Sequence, residues 1–304
     1  MTTPTLVIIN PNAGGNRGFM VWKQIERELR AVLGEDVHPV ITREPDEVPN
    51  CIKQATEEGV RRVVSIGGDG TNNVVINAVL AHNDAHPEAQ VSFGCIPAGT
   101  GRDWARGAGT PLNPKSAVAW IAQTQLRPID VGVVRYGDTV QHFLNISSAG
   151  ISNHVVQRVE NAPNRGKITY LSAILSSLMQ YRPKPIQVEV DGKPFYEGGV
   201  MVVAVANGRY FAQGLFVAPS AQVDDGMFDV VLAEEMPLHR VLYVLALVYR
   251  GKHVHHPKVR MARGQSVRIA TLDGTPFGMD IDGEGRMVTD VQYEVRHHAL
   301  NAHI

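Results

Sequence analysis

The sequence predicts two domains of different class: an α/β N-terminal domain with a parallel sheet and glycine-rich loops over residues 1–129, and a mainly antiparallel β-sandwich C-terminal domain over residues 130–304. Strand-like apolar runs and helical stripes alternate as far as residue 130, and three of those strands end in a glycine-rich loop. Beyond residue 130, short apolar runs follow one another as in a sandwich or barrel, with two helical interruptions. A length of 304 residues also suits two domains, at roughly 150 residues each.

Leu6–Asn10 reads as a first buried strand, followed by Pro11-Asn12-Ala13-Gly14-Gly15. Phe19, Val21, Trp22, Ile25, Leu29, Val32 and Leu33 recur at helical spacing. Val37–Thr42 is a second strand, ended by the breakers Pro45 and Pro49, and a helix from about Asn50 to Glu58 stops at Gly59. Arg62–Ile66 runs into Gly67-Gly68-Asp69-Gly70-Thr71 and a helix whose stripe is Val74, Val75, Ala78 and Val79. Val91–Ile96 leads into Pro97-Ala98-Gly99-Thr100-Gly101. Pro128 and Asp130-Val131-Gly132 mark the boundary. The later runs are Val131–Arg135, Gln141–Ile146, Ile186–Val190, Val200–Ala206, Met227–Ala233, Val259–Ala262, Val267–Ala270 and Val288–Val295. The last of these is a candidate to return to the first domain. Helical patterns cover Ile168–Tyr181 and Leu238–Tyr249, both apolar on most sides and therefore read as core.

The 29 Lys and Arg against 30 Asp and Glu leave a charge of −1, so no global basic field exists to hold nucleic acid. Hydrophobic residues at 44% and charged residues at 19% argue against disorder. Cys51 and Cys95 are too few for a disulfide framework or a four-thiolate zinc site. The N-terminus lacks a basic residue ahead of its short apolar run and reads as a strand, not a signal peptide. No apolar stretch reaches the roughly 18 residues that span a bilayer, and a cytoplasmic location is expected. His253, His255, His256, His297 and His298 have no acid or cysteine beside them and read as solvated surface.

The chemistry lies in the loops. Glycines after the carboxyl ends of parallel strands let backbone N–H groups approach a phosphate, and three converging loops favour phosphate binding. Neither a P-loop signature nor a dinucleotide G-x-G-x-x-G is present. Asp69, in the middle of such a loop, calls for a cation such as Mg²⁺ between it and the phosphates. The alternative is a cap on the helix starting near Thr71. Asp280, Asp282 and Glu284 lie at period 2, which on a strand sets three acids on one face, while Gly283 and Gly285 suggest a turn or bulge there. On its own residues, Asp224-Asp225-Gly226 is a hairpin turn.

Asn10-Pro-Asn-Ala-Gly14, Gly67-Gly-Asp-Gly-Thr71, Pro97-Ala-Gly-Thr-Gly101, Asp130-Val-Gly132 and Asp282-Gly-Glu284 together resemble the bacterial soluble diacylglycerol kinase family, whose catalytic domain is shared with eukaryotic diacylglycerol and sphingosine kinases. The resemblance implies nucleotide contacts at Asn10, Thr42, Gly67, Gly68, Asp69, Gly70, Thr71 and Thr100. It implies a catalytic base at Asp282 with Glu284 alongside, Asp69 being the second candidate. It also implies a structural Mg²⁺ on the Asp225 side chain and the carbonyls of Gln222 and Met227. The family's G-T-G-N-D reads here Gly99-Thr-Gly-Arg102-Asp103, so Arg102 either reaches a phosphate or is a solvated helix start. Tyr210, Phe211 and Phe216 become pocket candidates, and the two apolar helices could floor an acyl-chain channel.

The expectation is an ATP- and Mg²⁺-dependent lipid kinase acting on diacylglycerol to give phosphatidic acid. A sphingoid base and NAD are the alternative acceptors, and a non-catalytic nucleotide- and lipid-binding regulator is the reading from another class. Asp69, Asp282 and Glu284 weigh against the regulator, because a binder gains nothing from clustered acids. Expected partners are the lipid, a transient peripheral contact at the inner membrane face, and a homodimer through exposed strand edges.

Overall fold

The computed structural model describes residues 3–162 and 167–304. The chain falls into two units, Met1–Ile129 with His298–Ile304, and Asp130–His297. In unit 1 the order is β1 (Thr5–Ile9), α1 (Ala13–Asn16), α2 (Gly18–Leu33), β2 (Val37–Ile41), α3 (Glu47–Glu57), β3 (Arg62–Gly67), α4 (Asp69–Ala85), β4 (Ser92–Pro97), α5 (Asp103–Gly107) and α6 (Pro114–Gln123). The strands β2-β1-β3-β4 are all parallel. Every residue of β1 and β4 is buried, as expected where helices cover both faces. The stripe Trp22, Ile25, Leu29 and Leu33 of α2 packs with Val7, Ile9, Val64 and Ile96 of the sheet and with Ala117, Val118 and Ile121 of α6.

Connections leave β1 towards β2 on one side and β3 on the other, so the sheet has its topological switch point between β1 and β3. Open α/β sheets bind ligands outside the carboxyl ends of the strands at that point. Pro49, read as a breaker, lies in the first turn of α3, where its missing N–H has no helical partner to lose. Between Gly101 and Pro128 the sequence shows no legible element. There, α6 begins at an Asn113 side chain that accepts from the N–H groups of Lys115 and Ser116, with Pro114 as first residue.

Unit 2 continues with β5 (Leu126–Tyr136), which starts just ahead of the boundary, β6 (Thr139–Phe143), β7 (Ile146–Gly150), α7 (Ser152–Glu160), α8 (Lys167–Gln180), β8 (Lys184–Val190), β9 (Lys193–Ala206), β10 (Tyr210–Phe211), β11 (Leu215–Phe216), β12 (Phe228–Glu234), α9 (Leu238–Val248), β13 (Val259–Gly264), β14 (Ser266–Thr271), β15 (Phe277–Ile281), β16 (Glu284–Val288) and β17 (Asp290–His303). Its pairings are antiparallel. The long strand β9 pairs with β8 over its first half and with both β7 and β12 over its second. Inner faces meet around Phe143, Val188, Val203, Phe228, Ile269 and Tyr293. This is a mainly antiparallel β-sandwich.

Three readings need correction. The single run Gln141–Ile146 is the end of β6 and the start of β7, separated by Leu144 and Asn145. Val288–Val295 is likewise split, at Thr289, between β16 and β17. Asp280, Asp282 and Glu284 do not share one strand face: Asp280 is in β15, Asp282 is in a turn at φ +46° with Gly283 at +100°, and Glu284 opens β16. The helix α7 was not foreseen. From His298, the end of β17 belongs to unit 1, where Ala302 lies parallel to Phe93 of β4.

Candidate functional site

Three loops meet at the carboxyl edge of the unit 1 sheet. Asn10, following β1, donates from Nδ2 to Thr71 Oγ1 at 2.9 Å, tying the first loop to the second. The second and third loops touch through backbone: Ala98 and Gly99 donate N–H to the Gly67 carbonyl at 2.8 and 3.0 Å. A Cβ on Gly99 would lie 2.4 Å from the Gly68 Cα, so the approach excludes any side chain there. Gly14 combines a φ of +61° with a Cβ position 2.2 Å from the Ala98 carbonyl oxygen, which joins the first loop to the third. Thr42 is buried at the end of β2, its N–H on the Ile9 carbonyl, and Thr100 is half-buried in the third loop. Asn10, Thr42, Gly67–Thr71 and Thr100 thus all lie at or just beyond the carboxyl ends of β1 to β4.

Asp69 is the first residue of α4, yet its carboxylate turns to another helix. Its Oδ1 accepts from Trp104 N–H at 3.0 Å and its Oδ2 from Asp103 N–H at 3.2 Å, so it caps α5 across the loops. Each oxygen has a second acceptor position. Gly101 lies against Oδ2, where a Cβ would come within 2.7 Å, and its lack of a side chain keeps that oxygen approachable. This donor set fits a hydrated Mg²⁺ held through one carboxylate. Arg102 is at φ +57° and donates to the Leu112 carbonyl at 3.4 Å, in the segment between α5 and α6. The buried Asp103, paired with Arg106 at 2.6 Å, was not singled out in the sequence.

In unit 2 Asp282 is held by backbone. Its Oδ2 accepts from Leu144 N–H at 3.0 Å, and its Oδ1 from Asn145 and Ile146 N–H at 3.2 Å each. The donors come from the link between β6 and β7 and from the first residue of β7, and two buried asparagines pin that link. Asn207 donates from Nδ2 to the Leu144 carbonyl at 2.7 Å, and the N–H groups of Asn207 and Gly208 bond the Asn145 carbonyl at 3.0 and 2.7 Å. Asn145 in turn donates from Nδ2 to the Tyr210 carbonyl. Sequence reading missed both asparagines, and the only signal was Asn207-Gly208 after a strand. Glu284, the expected neighbour, pairs instead with Arg286 at 2.9 Å on the half-exposed start of β16.

The expected structural-ion residues do not fit a divalent cation as arranged. Asp225 Oδ1 accepts from Met227 N–H at 3.0 Å, and its Oδ2 carries the Arg263 guanidinium. Arg263 also reaches the buried Asp229 at 3.4 Å. An ion would have to displace that positive group. Gln222 is exposed beside this turn. One histidine read as solvated is not: His253 is buried with Nε2 2.9 Å from the Val217 carbonyl oxygen, burial pushing its pKa down, whereas His297 is exposed and has Nδ1 2.8 Å from the buried Asp130 Oδ1. Of the aromatic candidates, Tyr210 and Phe216 stack on each other at 4.7 Å, whereas Phe211 lines a cavity. That cavity, about 140 Å³, is walled by α8 and α9 through Tyr170, Ile174, Leu178, Val244, Leu245 and Val248.

Glycine loops at the switch point of a parallel sheet, followed in the chain by an antiparallel sandwich with an apolar cavity, define a phosphate-handling protein with room for an apolar ligand. Known proteins make that class specific. Residues 4–134 match the family model of the diacylglycerol kinase catalytic domain, and residues 145–303 match that of the YegS C-terminal NAD kinase beta sandwich-like domain. A protein described as "probable lipid kinase YegS-like" from Stenotrophomonas maltophilia (strain K279a) is 30% identical, covering 78% of this chain and 75% of the relative. A diacylglycerol kinase of Mycobacterium tuberculosis (strain H37Rv) is 28% identical, with 78% and 75% covered. The crystal structure of a diacylglycerol kinase from Bacillus anthracis str. Sterne has the same fold, with a TM-score of 0.73, 23% identity and coverage of 99% and 96%. The chain belongs to the diacylglycerol kinase and YegS family and is a lipid kinase.

Proposed function

We propose that the protein transfers the γ-phosphate of ATP to the hydroxyl of diacylglycerol, giving phosphatidic acid and ADP. The observation that carries the acceptor is the apolar cavity of unit 2. Among the described residues no Asp or Glu lines it, and burial pushes the pKa of its His253 imidazole down, away from a positive charge. A sphingoid base carries an ammonium group that would seek an acid in such a site. The uncharged glycerol ester needs none, and an acyl chain suits the walls. NAD, highly charged, has no use for this cavity.

ATP would lie on the loops of unit 1, with Asn10, Thr42, Gly67, Gly68, Gly70, Thr71 and Thr100 around its polar groups. Mg²⁺, when bound with the nucleotide, screens charge on the transferred group. Asp69 is the acid at those loops able to take it. As the lipid oxygen bonds to the γ-phosphorus and the bond to ADP breaks, Asp282 accepts the hydroxyl proton. Three backbone donors fix that carboxylate, so its orientation is set before substrate arrives.

Mixed micelles of diacylglycerol, a sphingoid base or neither, with γ-labelled ATP and Mg²⁺, test the reading, with NAD in a parallel reaction. Label is expected in phosphatidic acid. Label confined to the sphingoid base would change the acceptor, and label only in NADP would overturn the reading.

A further inference from the structure

The hairpin that carries Asp282 has little sheet around it. β16 is the end strand, paired with β15, and β15 meets β7 over residues 279–281. The turn itself is Asp282 and Gly283, both at positive φ. Three amides on the Asp282 carboxylate fix the tip, and the stem needs a support of its own if the tip is to keep its bearing. The helix α7 supplies it, packing on both β15 and β16.

One residue of α7 enters the hairpin. Asn153 is buried, and two glycines make its place. A Cβ on Gly278 of β15 would lie 2.5 Å from the Asn153 Cβ, and one on Gly285 of β16 would lie 2.2 Å from its Oδ1. Its Nδ2 donates at 3.3 Å to Sδ of Met287, the residue paired with Gly278 across the hairpin. The side chain therefore touches both strands at once. Val156, three residues on and on the same face of α7, comes to 3.7 Å from the Gly285 Cβ position. Stability alone does not account for an asparagine in this notch. Its Oδ1 is buried without a hydrogen-bond partner among the described residues, a cost that an apolar side chain would avoid. Such departures from best packing gather at functional sites.

We propose that Asn153 is a positioning residue for the phosphoryl transfer: by clamping the β15–β16 hairpin to α7, it sets where the Asp282 carboxylate points. The inference rests on the reading of Asp282 as the base, and it deepens it. The neighbouring face of α7 carries Ser152 and Val155, which line the apolar cavity. One short helix thus bears on the cavity wall and on the stem beneath the base, so its own dimensions set the spacing between lipid and carboxylate. A misplacement of about 1 Å at the reacting atoms can cost about 10²-fold in rate, and a clamp that never touches substrate can therefore govern kcat.

Amide hydrogen exchange without substrates reads the positioning apart from the reaction. In Asn153→Ala the amides of Leu144, Asn145 and Ile146, which bond Asp282, should exchange about tenfold faster or more, those of Val203 and Val230 in the sandwich core changing less than about threefold. With ATP and dispersed dioctanoylglycerol, kcat per folded molecule should fall about tenfold or more, and KM for ATP should stay within about twofold. Gly285→Ala should also lower kcat, but should add less than about a twofold loss once Asn153→Ala has cleared the space. Met287→Leu keeps the volume at an exposed site and removes the sulfur acceptor, so it tests the clamp even where Asn153→Ala does not fold; kcat should drop about threefold. Equal acceleration of exchange in both sets of amides, unchanged exchange at residues 144–146, or independent losses from Asn153→Ala and Gly285→Ala would overturn the proposal. So would an unchanged kcat in Asn153→Ala when Asp282→Asn has lost turnover. Turnover kept in Asp282→Asn would instead overturn the base, and local acceleration of exchange without any turnover of dioctanoylglycerol by the unmodified protein would refute the acceptor and leave the clamp intact.

Discussion

Asp282 accepts from three consecutive backbone amides, so replacing its carboxylate touches stability and chemistry together. In Asp282→Asn one carboxylate oxygen becomes an NH₂ group facing an N–H, leaving a donor unsatisfied at a cost of about 1–3 kcal/mol. If Asp282 is the base, kcat should also fall by about 10²-fold or more in the folded variant, with KM for ATP within a few-fold. A purely structural role would lower the melting temperature and leave kcat per folded molecule unchanged. Arg263 offers the second test at this scale. Its guanidinium bridges Asp225 and the buried Asp229, whose other oxygen accepts from Ser220 Oγ at 2.5 Å. Arg263→Ala should destabilise the protein by about 1–3 kcal/mol by stripping a buried carboxylate of its cation. EDTA should leave the melting temperature of the unmodified protein unchanged, and a chelator-dependent fall would restore a divalent ion at Asp225.

At the scale of elements, the end of β17 completes the sheet of unit 1 with buried Leu300, Ala302 and His303. Burial, helped by the positive charge of Arg62, pushes the His303 pKa down from 6.5 to about 4. The folded strand therefore holds a neutral ring while the unfolded chain takes up a proton near the ordinary value. Stability from this residue is fully present above pH 6.5 and is lost as pH falls through 6.5 towards 4. His303→Gln should flatten the pH dependence of the melting temperature across that window, and identical slopes in both proteins would show that the ring is accessible to protons when folded. The strand itself was legible only as an apolar run starting at Val288, because Thr289 divides that run without any glycine or proline.

For the whole molecule, what sequence order conveys and what it hides divide along a physical line. In unit 1, β1, β3 and β4 were readable because they are buried on both faces, which leaves continuous apolar runs, and because each leads into glycines forced by close backbone approach, as at Gly14 and Gly99. The mostly exposed β2 was marked only by the prolines after it. The alternation of α/β and sandwich followed from that. Contacts made across long separations left no local trace: Asp282 meets amides more than 130 residues away, and His297 meets Asp130 across 167. The cap of Asp69 on α5 was hidden for the same reason, since local logic assigns an acid there to its own helix. Net charge was informative about the sum and silent about where acids are missing. One further consequence follows from the seven residues His298–Ile304, which complete unit 1 only after all of unit 2. During synthesis at about 5–20 residues per second, the first half emerges and waits roughly ten to thirty seconds for its closing strand. Throughout that interval the β4 edge, apolar and ready to pair, is open to any neighbouring chain. The order of translation thus makes the nascent first half, rather than the finished enzyme, the form that most needs a chaperone.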